Sequence, residues 1–242
     1  MALVTGASRG IGAATARLLG ASGAKVYVNY LASEERADDV VAGILAAGGH
    51  AEKAQFDASD PAQVSAGVAA ILEREEAIDL LVNNAGVRFD GLTHGMAPET
   101  WDECTRMNLD SAFYLTKEVV RPMVKHQRGS IVFVSSIAGS IGSFGQSAYA
   151  ASKAGVVALA KSVALEYGAK GVRANVVIPG IISTEMTQNL REDFKQSVLA
   201  QIPCNRLGLP EEVAPAICFL LSDGASYING ATLHINGGGL RA

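Results

Sequence analysis

Ala2-Leu3-Val4-Thr5-Gly6-Ala7-Ser8-Arg9-Gly10-Ile11-Gly12 is the stretch whose reading decides the fold. Three apolar residues make a short buried strand, an Ala-rich run to about Ser22 makes a helix, and glycines spaced GxxxGxG lie between them. Glycine lets a backbone come close to a pyrophosphate. A helix N-terminus adds unpaired N–H groups and a partial positive charge. Strand, glycine turn and helix in that order therefore predict a dinucleotide site, with Gly6, Ser8, Arg9, Gly10, Ile11 and Gly12 around the phosphates.

The alternation continues to the end of the chain. Further strands are predicted at 25–29, 50–56, 78–82, 131–134, 172–178 and 232–235. Helices are predicted at 33–47, after the Asp60-Pro61 N-cap pair, at 99–107 and 110–127 around Asn108, at 147–167 and at 210–221, with Gly48-Gly49 and Gly129 closing two of them. Seven strands with helices between them predict an α/β Rossmann fold: one domain over 1–242, with a doubly wound parallel sheet covered by helices on both faces. Apolar residues make up 49% of 242, enough for a sheet buried on both sides.

Composition removes several classes of function. A net charge of -4 gives no general attraction to nucleic acid. Cys104, Cys204 and Cys218 are odd in number and form no CxxC pair, and the four histidines show no HxxxH spacing. A disulfide framework and a metal site are not expected, and a reducing cytoplasm is. No uninterrupted apolar run reaches ~18 residues, and Met1-Ala2-Leu3-Val4 lacks the basic start of a signal peptide, so no membrane association is expected.

Candidate functional residues fall after strands, where open α/β sheets bind ligands. Asn29 and Tyr30 close the second strand, and the first acid beyond them is Glu34. With no carboxylate to repel a 2′-phosphate, and with Arg9 in the glycine turn to meet it, NADP(H) is favoured over NAD(H). Asp57, with Ala58, follows the third strand; it either accepts from an adenine amino group or forms an Asx turn. Asn84, Ala85 and Gly86 follow the fourth, with amides to brace backbone and small residues to admit a cofactor. Asn108 either turns a polar group inward or simply breaks a helix. Ser136 follows the strongly apolar fifth strand. Tyr149 and Lys153 lie one helical turn apart, so an ammonium beside a phenol favours the phenolate. Alone, YxxxK also describes an ordinary surface pair.

Two loops, 137–146 and the polar segment 181–201, are expected to wall the substrate site, the second as a movable lid. Ala150, Ala151, Ala154, Gly155, Ala158, Ala160 and Ala164 make the 147–167 helix narrow enough for close packing of a second subunit.

Together, Thr5-Gly6-x3-Gly10-x-Gly12, Asn83-Asn84-Ala85-Gly86, Asn108, Ser136, Tyr149-x3-Lys153 and Pro179-Gly180 resemble the short-chain dehydrogenase/reductase family, over essentially the whole chain. Within it the chain is most similar to the 3-oxoacyl-(acyl-carrier-protein) reductases of fatty-acid synthesis, through Gly145-Gln146-Ser147-Ala148-Tyr149, Arg206-Leu207-Gly208 and Leu233-His234-Ile235-Asn236-Gly237-Gly238. The N-terminus is several residues shorter than the family pattern. The resemblance implies an NADPH-dependent reductase with Asn108, Ser136, Tyr149 and Lys153 as its catalytic set. Ser136 and Tyr149 would polarise a carbonyl, Lys153 would hold the ribose and lower the Tyr149 pKa, and Asn108 would anchor a proton-relay water. It also implies that Pro179, Gly180, Ile182 and Thr184 line the nicotinamide half, that Asp57 and Asn84 to Gly86 line the adenosine half, and that the enzyme is a homotetramer. Gln146 is a candidate substrate contact. Arg128 and Lys170 are candidates for receiving an acidic carrier protein near the site mouth. The same chemistry on another ketone, steroid or sugar, and a non-catalytic NADP(H) sensor, are the rival readings.

Overall fold

The computed structural model describes residues 1–188 and 199–239. The strands are β1 (Ala2–Val4), β2 (Lys25–Tyr30), β3 (His50–Gln55), β4 (Leu80–Asn83), β5 (Gly129–Val134), β6 (Val172–Pro179) and β7 (Thr232–Ile235). Among the described residues they form one seven-stranded sheet, in the order β3-β2-β1-β4-β5-β6-β7. Every neighbouring pair is parallel. The order reverses between β1 and β4, so the crevice where a ligand fits opens at the exits of those strands.

Period-2 alternation divides the core into two layers. Leu3, Tyr27, Leu81, Ile131, Phe133, Val176 and Ile178 point to the face covered by α3 (Pro61–Leu72), α5 (Ser111–Lys125) and α7 (Ser147–Tyr167). Val4, Val26, Val28, Val82, Val132, Val134 and Val177 point to the face covered by α1 (Gly10–Ala21), α2 (Glu34–Ala46) and α9 (Pro210–Leu221). Both layers pack on the one sheet.

Several local expectations change. Asn108 does not break a helix. Residues Arg106–Asp110 form a π-helical turn joining α4 (Pro98–Thr105) directly to α5. Gly129 is the first residue of β5 and not a cap. His126 closes α5, and Gln127 takes the left-handed conformation (φ 52°). Gly129 has its own reason to be glycine, because a Cβ there would lie 2.5 Å from Met123 Sδ. The expected loop 137–146 contains a short helix, α6 (Ile137–Ile141). Of the segment 181–201, Glu185–Gln188 forms α8, and 189–198 lie outside the described residues.

The run Ser147–Lys170 is long and apolar enough, by length and hydropathy, to cross a membrane. Here it is a core helix: Val156, Ala160, Val163 and Ala164 are buried against the sheet, and Lys153 is buried too.

Asn29 was expected at the coenzyme, but its side chain is buried and works inside the fold. Its Nδ2 donates to the carbonyls of Ala54 and Phe56, both at 3.1 Å, and its Oδ1 accepts from Gly6 N–H at 3.3 Å. It ties the glycine turn to the exit of β3. Tyr30 is likewise buried, packed in the core layer beneath α1 and α2. Asn29→Ala strands two carbonyls and one N–H, and should cost about 2–3 kcal/mol. Urea unfolding of the coenzyme-free protein should show the full loss, whereas a coenzyme contact alone would leave that curve unmoved.

Candidate active site

The glycine turn is held from behind by side chains. Thr5 Oγ1 accepts from the N–H groups of Asn84 and Ala85, each at 3.0 Å. Asn84 Nδ2 donates to Thr5 O at 2.9 Å and Gly6 O at 3.2 Å. Backbone bracing by this amide agrees with the sequence reading. The turn admits no larger residues: a Cβ at Gly12 would lie 2.4 Å from Gly6 O, and one at Gly6 (φ +58°) would lie 3.1 Å from Ala85 Cα. Gly10 (φ +54°) faces Thr184 Cγ2, 3.4 Å from an ideal Cβ. No side chain caps the N-terminus of α1 and its first turn carries no acid. Ser8 and Ile11 stay partly exposed on the turn, and Arg9 is exposed. A dinucleotide phosphate fits this cradle by shape and charge.

Pro179 ends the β6 strand, and Gly180 N–H donates to Ile235 O at 2.9 Å. Ile182 is buried, and its carbonyl accepts from Thr187 Oγ1 at 2.7 Å; Thr187 Oγ1 also accepts from Thr184 N–H at 2.9 Å. Thr187, absent from the sequence reading, thus shapes the segment expected against the nicotinamide. Asp57 forms the turn that one of its two readings expects. Its Oδ1 accepts from both Ser59 N–H and Ser59 Oγ at 2.8 Å, closing an Asx turn, and Ala58 is buried.

The catalytic candidates meet at the exit of β5. Ser136 is the N-cap of α6, accepting from Ala138 N–H at 3.2 Å, and its hydroxyl is near enough to Tyr149 to lower the phenol's pKa. Ser135 Oγ donates to Lys153 O at 2.8 Å, which pins α7 to the end of the strand. Gly139 lets α6 lie against α7, where a Cβ would be 2.8 Å from Ala154 N. Asn108 clips the segment after β4: its Oδ1 accepts from Val87 N–H at 2.8 Å and its Nδ2 donates to Val87 O at 2.9 Å. Nδ2 also reaches Ser152 Oγ at 3.1 Å and Cys104 Sγ at 3.2 Å, and Ser152 Oγ donates to Tyr149 O at 2.8 Å. The side-chain amide of Asn108 is therefore engaged in positioning Val87 and Ser152.

Lys153 is buried, its Nζ donates to Val134 O at 2.9 Å, and it sits 5.9 Å from the centre of the Tyr149 ring. Burial pushes its pKa down from 10.5 to about 8. The expectation that Lys153 acidifies Tyr149 is not met in this arrangement. Loss of water around the phenol raises the Tyr149 pKa, and this outweighs the lowering by the Ser136 hydroxyl and by Arg88. Arg88 went unnoticed in the sequence because a single arginine after Asn84-Ala85-Gly86 carries no pattern. It pairs with Asp90 at 3.2 Å. Gln146 Nε2 donates to the same carboxylate at 2.8 Å, so it bridges the two loops at the mouth rather than pointing freely at substrate.

Arg128 and Lys170 lie at the other edge. They precede β5 and β6, whose first residues Gly129 and Val172 pair with each other, whereas Ser136 follows the last. Six residues of strand put about 20 Å between those edges. On their own chain they do not flank the mouth. Arg36 was missed as well. It lies in the first turns of α2, and only the tertiary fold brings it beside Arg9, where both bind Glu185.

A parallel sheet with a glycine cradle at its switch point and a Ser–Tyr–Lys group at the next exit defines a dinucleotide-dependent dehydrogenase or reductase. A family model described as Enoyl-(Acyl carrier protein) reductase matches residues 6–239, and the chain belongs to the short-chain dehydrogenase/reductase family. It is 43% identical over 238 residues to the 3-oxoacyl-(acyl-carrier-protein) reductase FabG of Escherichia coli, covering 98% of this chain and 96% of that one. To the 3-oxoacyl-(acyl-carrier-protein) reductase of a Synechocystis strain it is 45% identical over 239 residues, with the same coverage. Its backbone superposes with a TM-score of 0.97, at 31% identity, on the crystal structure of a protein from Agrobacterium tumefaciens assigned as a gluconate dehydrogenase, covering 100% of this chain and 96% of that one. Membership of the family implies a nicotinamide coenzyme.

Burying the Lys153 ammonium costs stability wherever the unfolded chain holds a proton that the folded one resists. The shift from 10.5 to about 8 amounts to about 3 kcal/mol below pH 8, relieved as pH rises from about 8 to 10.5. Lys153→Met should therefore raise the melting temperature at pH 7, with the gain shrinking toward pH 10, and should abolish turnover. Thermal melts of both proteins across that range check the first part, and a gain that does not depend on pH would contradict it.

Proposed function

We propose that this chain reduces a 3-oxoacyl thioester, carried on acyl carrier protein, to the 3-hydroxyacyl thioester, using NADPH, in fatty-acid synthesis in the cytoplasm. The observation that carries this reading is the nearness of two hydroxyl side chains, Ser136 and Tyr149, with Ser136 lowering the Tyr149 pKa, at the sheet edge that also holds the glycine cradle. The full-length identity to 3-oxoacyl-(acyl-carrier-protein) reductases supports the thioester substrate.

Two hydroxyls that meet at one point can both donate to one carbonyl oxygen, drawing electrons from its carbon and stabilising the oxyanion as it forms. NADPH, when bound, supplies hydride from its nicotinamide C4. Tyr149 gives its proton to the oxyanion, since a phenol kept protonated by its surroundings is an acid at neutral pH. Lys153 binds the ribose hydroxyls from its buried position behind the Tyr149 ring. Asn108 holds Val87 and Ser152, and through Ser152 the turn that carries Tyr149. The coenzyme phosphates take the cradle from Gly6 to Gly12, with Arg9 and Arg36 near the 2′-phosphate.

The small-residue face of α7 supports a homotetramer: Ala151, Ala154 and Ala158 are exposed and Leu165 is 86% exposed. Gly155 is excluded from that face, because it packs inward against Leu109. Because Arg128 and Lys170 lie at the opposite edge from Ser136, carrier docking through them would serve a neighbouring chain of such a tetramer.

A second reading has its own support. Arg88 acts on Tyr149 electrostatically, and a guanidinium there suits a substrate with a carboxylate, in keeping with the assignment of the Agrobacterium tumefaciens protein. NADPH oxidation should be followed with acetoacetyl-CoA, an enoyl-CoA, 5-ketogluconate and simple ketones side by side. Rapid turnover of the 3-oxo thioester is expected. Turnover of the sugar acid alone would move the substrate to the second reading, and turnover of the enoyl thioester alone would move the reaction to C=C reduction. Tyr149→Phe should lower the rate at least ~10³-fold while NADPH fluorescence still reports binding.

A further inference from the structure

Glu185 opens α8, directly after the Ile182 to Thr184 segment, and reaches across the cleft to two arginines on separate elements. Its Oε1 meets Arg36 Nη1 at 2.5 Å, and its Oε2 meets Arg9 Nη1 at 3.2 Å. Arg9 immediately precedes α1, and Arg36 is on the first turns of α2. Nothing in chain order links these three residues, so two guanidiniums from different βα units converge on one small anion.

The other charges nearby are accounted for. Glu34 and Asp38 both pair with Lys53, at 2.7 and 2.9 Å. Glu35 lies beside Arg36 in the shallow depression formed by Ala32, Ser33 and Glu34 after β2, which is where a coenzyme's adenosine ribose lies in this fold. A carboxylate bridging two guanidiniums uses the donors that a phosphate monoester would use.

We infer that Glu185 is an internal anion seated at the 2′-phosphate position, and that the phosphate of NADP(H) must displace it from Arg9 and Arg36 to bind. The inference rests on the reading of Arg9 and Arg36 as the 2′-phosphate site. It adds a competitor on α8. Both anions cannot occupy the pair: with Glu185 seated the two guanidiniums and its carboxylate sum to one positive charge, and with it withdrawn the guanidiniums present two, facing a phosphate of about −2. The exchange pulls on the segment behind Glu185. Thr184 packs beside Gly10, and Thr187 binds the Ile182 carbonyl, so release of Glu185 is felt in the stretch that lines the nicotinamide half. NADH, with no 2′-phosphate, leaves the contact closed. Glu185 thereby acts as a specificity-determining residue, taxing the binding of NADP(H) and coupling α8 to the type of coenzyme.

The test uses the full chain and two probes with no nicotinamide, adenosine 2′,5′-bisphosphate and adenosine 5′-monophosphate, titrated by calorimetry at low salt. Removing an exposed competitor for two arginines should tighten bisphosphate binding by about 3- to 10-fold in Glu185→Gln and leave the monophosphate within about 2-fold. Unchanged or weaker bisphosphate binding in Glu185→Gln, with wild type still preferring it and Arg9→Ala and Arg36→Ala still weakening it, would overturn the competition alone. A wild-type protein with no preference for the bisphosphate, or arginine variants that bind it normally, would overturn the 2′-phosphate site and the competition together. Equal tightening of both probes would also overturn the inference, since it would reflect only a general loss of negative charge.

Discussion

Three asparagine amides hold the working edge of this sheet together. A parallel sheet ends in strand exits whose N–H and C=O groups have lost their ladder partners, and each must be paired or exposed to water. Asn29 joins the exit of β2 to that of β3 and to Gly6. Asn84 holds Thr5 and Gly6 at the exit of β1. Asn108 reaches in from a neighbouring helix and takes both backbone groups of Val87 beyond β4. An amide suits each place because it donates and accepts from one rigid plane. The coenzyme cradle and the catalytic group are thereby parts of one hydrogen-bonded rim, running from Gly6 through Asn84, Val87, Asn108 and Ser152 to Tyr149.

That rim explains the division of labour among the candidate catalytic residues. Tyr149 and Ser136 need freedom at their hydroxyls, and these converge where a carbonyl oxygen can lie. Everything else near them is fixed by contacts that do no chemistry: Ser135 holds the Lys153 carbonyl, Ser152 holds the Tyr149 carbonyl, and Gly139 allows α6 to lie against α7. Burial sets the electrostatics. It keeps Tyr149 protonated and makes Lys153 a costly cation, and both effects favour function at the expense of stability.

The strands and the glycine turn were legible because each has a local cause. Buried strands such as β5 hold unbroken apolar runs, here Ile131 to Val134, and glycine is required where a Cβ would strike Gly6 O or Ala85 Cα. Ser136, Tyr149 and Lys153 were legible through spacing. What escaped depends on residues far apart in sequence. Arg36 resembles any helix-surface arginine until the fold sets it beside Arg9 and Glu185. Asn29 occupies a ligand-facing position in the chain, but its side chain is spent on Ala54, Phe56 and Gly6. Arg128 and Lys170 were misplaced for a simpler reason: a residue that precedes a parallel strand lies at its start, and this sheet places its chemistry where strands finish.

The π-helical turn at Arg106–Asp110 is in effect one residue more than an α-helix between the same neighbours would need. That surplus residue swings Asn108 toward Val87 while α4 and α5 remain a continuous rod. Deleting a single residue from the turn would let the helix close into regular α geometry and rotate Asn108 by roughly 100° away from its partners. The placement of this asparagine is therefore specified by chain length as well as by residue type. In the evolution of this fold, a one-residue insertion or deletion in a helix, with no change in composition, is enough to connect or disconnect the two halves of the site.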